Sequence, residues 1–397
     1  GMDEAYFMGF GRYNWFVDEN RPDRNELFIN HVKKVKAIAE KYGFTDTAIW
    51  FDNIFGMNYK GYIDPPVWLF RDFPAAVREN FPDVRLIFWN YVVTDADEFV
   101  RMVGCIRQLS DNVSFASMAH GYTSFAPQNS ITERLVGTAL EGCKRTGVTD
   151  LTITWWGSRI SPLALTPSYY DYAERTAEVE GYTEDERAAF LYGHTYTDLK
   201  KLDDPNFVCE GVQATGMAEG KNLPFYAVFD DPLYPLLARH VPEGAAKEFA
   251  ACEKEMRRLA SKPSVLSNIF AFEAELCRVL SKKVGIYPRA KSAYDRKDKT
   301  QLKKVSDDLA EAQSATKEFF VTYRDYYLSF AKPELFAQWE SVFGATIFRL
   351  GLAKEKLDDF IAGKTDSIPE LEREVLPIAS AADGKTIAYS DVFALLQ

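Results

Sequence analysis

Short segments with strand character alternate with amphipathic helical segments between residues 23 and 156, and this alternation is the strongest constraint on the fold. The strand segments are rich in β-branched and aromatic residues, and capping signals precede several helical segments. Such an alternation is typical of βαβ units, whose strands lie parallel in one sheet. Strands are predicted at 47–55, 84–92, 113–118 and 151–156.

From about residue 231 the pattern changes to long helical segments in which apolar residues recur every three or four positions. Pro288 is expected to kink or end the second of these helices. We therefore predict an α/β domain over 1–230 and an all-α helical bundle domain over 231–397. The long helices are predicted at 242–260, 264–296, 301–331 and 334–362.

Aromatic and polar residues follow one another at the carboxyl end of every predicted strand. Ligands of parallel α/β proteins gather at that edge of the sheet. A single aromatic residue there is equally consistent with a structural cover of the sheet, but its repetition on each strand favours a binding site. The residues concerned are Trp50, Asp52, Trp89, Asn90, Tyr91, Tyr122 and Trp156.

Asp3 and Glu4 form an acidic pair just before a glycine-rich turn at 8–13. Considered alone, such a pair at a chain end is typically solvated and poorly ordered. If the preceding residues form another strand of the same sheet, the pair instead presents two carboxylates to the cleft at the strand ends.

The net charge of −11, from 47 basic and 58 acidic residues, argues against nucleic acid or an anionic membrane as the main partner. No apolar run approaches the roughly 20 residues needed to span a bilayer. Five cysteines without close pairing indicate reduced core thiols and a cytoplasmic protein, and four scattered histidines argue against a zinc site.

The order of the strand-end motifs resembles glycoside hydrolase family 20, in particular the β-N-acetylhexosaminidases that carry a C-terminal helical domain. The motifs are Asp-Glu-Ala, Gly-x-Gly-Arg-Tyr, Trp-x-Asp, Trp-Asn-Tyr, Gly-Tyr-Thr-Ser-Phe-Ala-Pro-Gln-Asn and Thr-x-Thr-Trp-Trp-Gly. The resemblance continues through the Phe-Asp-Asp-Pro-Leu segment at 229–233 and the helices after it.

The family fold is an eight-stranded (β/α) barrel whose Asp-Glu pair ends the fourth strand. The resemblance therefore implies a partial TIM-type (β/α)8 barrel, with strands four to eight in this sequence and strands one to three outside it. A partial barrel exposes two sheet edges and an apolar face. We expect that face to be covered by a second copy, by residues 166–230 or by the helical domain.

The resemblance also implies substrate-assisted, retaining hydrolysis of terminal GlcNAc or GalNAc, without a metal or organic cofactor. In this scheme Glu4 is the general acid/base, and Asp3 orients the 2-acetamido group of the substrate. The remaining contacts would be aromatic walls from Trp50, Trp89 and Trp156, polar contacts from Asp52, Asn90 and Tyr91, and an aglycone contact from Tyr122.

Two departures from the family pattern leave other functions open. Asn90 stands where the family commonly has an aspartate, and Val92 where it has a second tyrosine; Ser158 and Arg159 replace acids that commonly bind sugar hydroxyls. The alternatives are a catalytically impaired carbohydrate-binding relative, and a fragment whose helical domain mediates assembly, for instance as a homodimer.

Overall fold

The computed structural model describes residues 24–45, 48–51, 79–82, 85–90, 95–107, 110–119, 125–127, 129–155, 183–209, 223–329, 331–375, 378–379 and 387–388. The chain divides into two compact units, Gly1–Ala119 with Ile131–Trp155, and His120–Ser130 with Trp156–Gln397. The sheet lies in the first unit and the long helices lie in the second. The domain boundary that was predicted at residue 230 stays a prediction.

A four-stranded parallel sheet runs through the first unit. Its strands follow the chain order, so that each neighbouring pair needs a crossover connection, as in βαβ units. The predicted parallel sheet is confirmed for these strands, whereas the strand predicted to end at Asp3 and Glu4 lies outside the described residues. The strands are β1 (Ala48–Phe51), β2 (Arg85–Trp89), β3 (Val113–Ala119) and β4 (Leu151–Trp155).

The helices of this part of the chain form where the apolar spacing predicted them. Strand β3 is buried along its whole length, as expected for an inner strand with both faces covered. The sequence also predicts a helix at 67–80, which falls largely outside the described residues. The described helices are α1 (Arg24–Lys41), α2 (Ala96–Arg107) and α3 (Asn129–Thr146), of which Asn129 and Ser130 are grouped with the second unit.

Three phenylalanine rings form the centre of the core in the first unit. The ring centroid of Phe99 in α2 lies 4.5 Å from that of Phe115 in β3 and 6.4 Å from that of Phe88 in β2. Gly142 of α3 makes this packing possible, because a Cβ atom there would lie 2.1 Å from the Phe99 ring. The first unit therefore depends on a residue without a side chain at this turn of α3.

Short helices precede the long helices of the second unit. The first has a capping box, in which the Thr183 hydroxyl accepts from the Glu186 N–H while the Glu186 carboxylate accepts from the Thr183 N–H. It ends at Gly193, whose φ of 75° is readily adopted by glycine. These helices are α4 (Glu184–Tyr192), α5 (Tyr196–Lys200), α6 (Asp204–Phe207) and α7 (Leu223–Phe229).

The long helices of the second unit confirm the predicted helical C-terminal part, with one correction. The predicted helix at 264–296 is two helices that separate at Val284 and Gly285, not at Pro288. Pro288 lies in the first turn of the second helix, where the missing N–H has no intrahelical acceptor to lose. The long helices are α8 (Ala245–Ala260), α9 (Ser267–Lys283), α10 (Ile286–Asp295), α11 (Lys299–Leu328) and α12 (Phe336–Ile361).

Two short strands near the C-terminus were not predicted. They pair in parallel, with Ile378 beside Ile387. A one-turn helix, α13 (Pro369–Glu372), precedes them. Within the described ranges, no helix combines the length and the apolar character that crossing a membrane would require.

Candidate functional site

The carboxyl ends of β1 to β4 lie at one edge of the sheet, because the strands all run in the same direction. Asn90 follows β2 at this edge, and its backbone N–H donates to the carbonyl oxygen of Ala116 at 3.1 Å. This bond continues the ladder between β2 and β3 one residue beyond Trp89. Asn90 is 7% exposed. Asn90 is therefore buried at the predicted edge of the sheet.

The strand register shows which residues of the neighbouring strands are paired with two of the predicted tryptophans. Trp50 lies beside Ile87, and Trp89 lies beside Ala116. Ile87 and Ala116 alternate along their strands with the phenylalanines of the core, so they belong to the opposite face of the sheet. The backbone register thus pairs both tryptophan positions with residues of the sheet face opposite the phenylalanine core.

The remaining predicted site residues lie outside the described part of the chain. Their distances from one another, and from the sheet edge, stay predictions. They are Asp3, Glu4, Asp52, Tyr91, Tyr122 and Trp156.

The second half of the Gly-Tyr-Thr-Ser-Phe-Ala-Pro-Gln-Asn motif has a structural role. Phe125 is fully buried in the second unit. The Asn206 side chain donates to the Pro127 carbonyl, and the Asn129 side chain donates to the Leu199 carbonyl at 3.2 Å. The motif is thus held by its backbone as well as by its ring. Six other aromatic ring centroids lie within 6.2 Å of that of Phe125: Phe225, Phe229, Phe272, Phe319, Tyr323 and Trp339.

The Asp203 side chain binds the backbone at the end of this motif. Its carboxylate oxygens accept the backbone N–H groups of Asn129 and Ser130, each at 2.6 Å. Complete burial raises the pKa of Asp203 to about 7, although these two N–H donors act in the opposite direction. No sequence pattern points to Asp203, because its polar neighbours Lys201 and Asp204 give no sign of burial.

The Asp-Asp-Pro segment after α7 is a second buried polar network. The Asp230 carboxylate accepts the backbone N–H groups of Asp231, Leu236 and Leu237. The ammonium group of Lys283 donates to the carbonyl oxygens of Val228 and Asp230, both at 2.6 Å. Burial raises the pKa of Asp230 to about 6 and lowers that of Lys283 to about 8. This arrangement organises a turn, which explains the motif without catalysis.

Glu273 of α9 is fully buried, and neither of its carboxylate oxygens has a hydrogen-bond partner within the described ranges. Desolvation raises its pKa well above the ordinary value, and the nearby Asp203 and Cys252 act in the same direction. Burial therefore favours the neutral form of this carboxyl group. Its position among core residues gave no signal in the sequence other than a charged residue in an apolar stretch.

The cysteines are all free, and the prediction of core thiols holds for Cys143, Cys209 and Cys277, whereas Cys105 is exposed. Burial raises the pKa of Cys143 to about 11 and that of Cys209 to about 12. A hydrogen bond with Cys277 lowers the pKa of Cys252. Across the described residues, His, Cys, Asp and Glu side chains form no group of three that could hold a metal ion.

One family model matches part of the chain. Residues 194–389 match the Glycoside Hydrolase 20C C-terminal domain. No curated protein sequence matches the chain significantly. Among solved structures, a GH138 enzyme described as targeting pectin rhamnogalacturonan II aligns with a TM-score of 0.40 and 10% identity. The alignment covers 91% of this chain and 61% of that protein.

Proposed function

We propose that this chain, which is related to glycoside hydrolase family 20 through its C-terminal domain at residues 194–389, is part of a glycosidase that removes terminal N-acetylhexosamine residues. The observation that carries the proposal is the match of this helical domain, since it is independent of the strand-end motifs. The chain also supplies a parallel sheet whose carboxyl edge bears aromatic and amide residues. Both features are expected of a sugar-binding site on an α/β scaffold.

The proposed scaffold is the second half of a (β/α)8 barrel. The in-order parallel arrangement of β1 to β4 supports it, because consecutive barrel strands pair in chain order. In this proposal the strand that ends at Asp3 and Glu4 is the fourth of the barrel, and β1 to β4 are the fifth to the eighth. The catalytic-type domain then covers residues 1–230, and the helical domain covers 231–397.

The proposed reaction is retaining and substrate-assisted. Glu4 protonates the glycosidic oxygen as the bond to the aglycone breaks, while the carbonyl oxygen of the substrate's own acetamido group bonds to C1. Asp3 orients this acetamido group and stabilises the positive charge that develops on it. Glu4 then removes a proton from the water that opens the oxazolinium intermediate, and this step returns Glu4 to its protonated form.

The remaining residues bind the sugar. Trp50, Trp89 and Trp156 would supply flat apolar surfaces for the pyranose ring. Asp52, Asn90 and Tyr91 would contact its polar groups, and Tyr122 the aglycone. The support from the described residues is the register of Trp50 and Trp89 and the burial of Asn90 at the sheet edge.

Hydrolysis of 4-nitrophenyl N-acetyl-β-glucosaminide by the full chain tests the proposal. We expect turnover that Glu4→Gln reduces by at least about a hundredfold, as removal of a general acid does. The exposed Glu311→Gln is the matched control and should leave the rate unchanged. 4-Nitrophenyl β-glucoside, which lacks the acetamido nucleophile, should not be cleaved. Turnover that Glu4→Gln does not affect would disprove the assignment of Glu4.

A carbohydrate-binding relative without activity is the second candidate, and Asn90 is the observation that favours it. A neutral amide in place of a carboxylate removes a charged partner from the site. Calorimetric titration with N-acetylglucosamine separates the two candidates. Binding that Trp89→Ala abolishes, in a protein that shows no turnover, would favour the binding role. Light scattering on the same sample tests the proposed homodimer.

A further inference from the structure

A cleft in the helical domain has no role in the proposed reaction. It has a volume of about 800 Å³ and is formed by the turn after α7, the start of α8, the junction of α9 with α10, and the first turns of α11. This volume lies within the range of small-molecule sites. Every residue that lines it belongs to the second unit.

The side chains that line this cleft carry an excess of positive charge, although the chain as a whole has a net charge of −11. Lys247, Arg296 and Lys304 are exposed, and among the described residues none of them forms an ion pair. Most other cations of the long helices are paired with acids, as Arg289 of the same cleft is with Asp308. Three unpaired cations around one concave surface attract anions.

The acids of the cleft offset this charge only in part. Two carboxylates are engaged with the protein itself: Asp230 accepts three backbone N–H groups, and Asp231 accepts those of Leu233 and Tyr234. Glu243 is the lining acid that remains exposed. Its charge opposes an anionic ligand, but it stands against three cations.

The cleft also contains donors that are fixed by the fold. Lys283 lies in its lining, and its ammonium group uses two of its three N–H donors on the Val228 and Asp230 carbonyls. Helices α8 and α10 begin here at Gly244 and Gly285, both without a side-chain cap. A Cβ atom on Gly285 would lie 3.8 Å from that of Ala246. Two helix starts, each with partial positive charge, are therefore close together.

We propose that this cleft binds a small saccharide that carries an oxyanion, namely a sulfate, phosphate or carboxylate group. Lys247, Arg296 and Lys304 would surround the anion, since ammonium and guanidinium groups are the usual partners of such oxygens. Gln301 and Ser292, which also line the cleft, supply polar groups for the hydroxyls of the sugar. The chemistry of the cleft, and not the sheet edge, carries this inference, so it does not depend on the glycosidase proposal.

Calorimetric titration with glucose 6-sulfate, inorganic sulfate and glucose tests the cleft. We expect glucose 6-sulfate to bind more tightly than inorganic sulfate, glucose not to bind, and binding to weaken at high salt. The double variant Arg296→Gln/Lys304→Gln should weaken binding of glucose 6-sulfate by about tenfold, from two charged contacts of ordinary strength. Glucose 6-phosphate and glucuronate in place of the sulfate ester show which oxyanion is preferred.

The matched control is Lys254→Gln/Lys317→Gln, which removes the same charge from exposed helix positions outside the cleft. It should bind as the unchanged protein does. Equal loss in both double variants, equal affinity for glucose and glucose 6-sulfate, or no binding of any oxyanion would overturn the proposal. Equal affinity for inorganic sulfate and glucose 6-sulfate would overturn its saccharide part. Because no turnover is measured, an inactive sheet-edge site would leave these outcomes unchanged.

Discussion

The two units of this protein bury their aromatic residues in different ways. The first unit packs three phenylalanine rings between the sheet and helices α2 and α3, with centroids 4.5 to 6.4 Å apart. The second unit surrounds one ring, that of Phe125, with six others from helices α7, α9, α11 and α12. The ring at its centre comes from a loop segment and not from a helix.

The two units also differ in the polar groups they bury. Within the described ranges, the second unit encloses the carboxyl groups of Asp203, Asp230 and Glu273 and the ammonium group of Lys283. None of the described acids of the first unit is buried. Because desolvation favours the neutral form of an acid, burial links the stability of the second unit to pH.

Removal of the Phe125 ring should have the largest effect. Phe125→Ala leaves a cavity at the centre of the aromatic cluster, and we expect the free energy of unfolding to fall by about 3–5 kcal/mol. Urea denaturation measures this change. Phe125→Leu, which retains most of the volume, should cost less. A loss below about 1 kcal/mol for Phe125→Ala would contradict the central position of this ring.

A substitution at Gly142 tests the packing of the first unit by adding an atom, whereas Phe125→Ala removes atoms from the second unit. Gly142→Ala places a methyl group inside the Phe99 ring position, and we expect a cost of about 1–3 kcal/mol. Gly137→Ala is the matched control on the same helix, because nothing lies within 4 Å of its Cβ position. It should stabilise α3 by about 0.5–1 kcal/mol. Hydrogen exchange of peptides from α2 and α3 measures both, and similar effects of the two substitutions would refute the close contact.

The pH dependence of stability between pH 6 and 8 is the smallest expected effect and separates the two units. The pKa of Asp203 is about 7 when folded, against an ordinary value of 3.8. The unfolded chain therefore releases this proton more readily, and stability falls as the pH rises from 4 through 7. Between pH 6 and 8 the loss should be about 1 kcal/mol. Hydrogen exchange should show it in peptides of the second unit and not in those of the first.

The variant Asp203→Asn provides the control for this pH effect. The amide does not ionise, so its stability should fall less between pH 6 and 8, even if its absolute stability is lower because an N–H acceptor is lost. An unchanged slope would assign the pH dependence to other groups. Asp230, with a pKa of about 6, would be the next to replace.

Much of the local structure was predictable, because apolar residues recur with different periods in strands and in helices. Strand β2 was expected at 84–92 and spans Arg85–Trp89, and strand β4 was expected at 151–156 and spans Leu151–Trp155. The break between α9 and α10 was not predicted correctly. Proline was expected to cause it, but proline in the first turn of a helix is compatible with helical geometry, and the chain instead separates at Gly285.

The sequence predicted at which edge of the sheet the candidate site lies, but not the geometry of the site. Parallel strands place Trp50, Trp89 and Asn90 at strand ends, and this follows from the alternation of strands and helices alone. The unpaired cations of the cleft come from two segments that are far apart in sequence, the start of α8 with Lys247 and the α10–α11 junction with Arg296 and Lys304. No local pattern predicts such a meeting, since it depends on how the helices pack.

The sequence by itself determined which segments are strands and helices, since the 2.0 and 3.6 residue periods specify which face of each element is apolar. It also carried the resemblance to family 20, and residues 194–389 match the Glycoside Hydrolase 20C C-terminal domain. Only the tertiary structure decided that Phe125 is the centre of a core, that Asp203 and Glu273 are buried, and that unpaired cations share one cleft. Burial and charge neighbourhood are properties of contacts between distant segments, and these arise from packing of the whole chain.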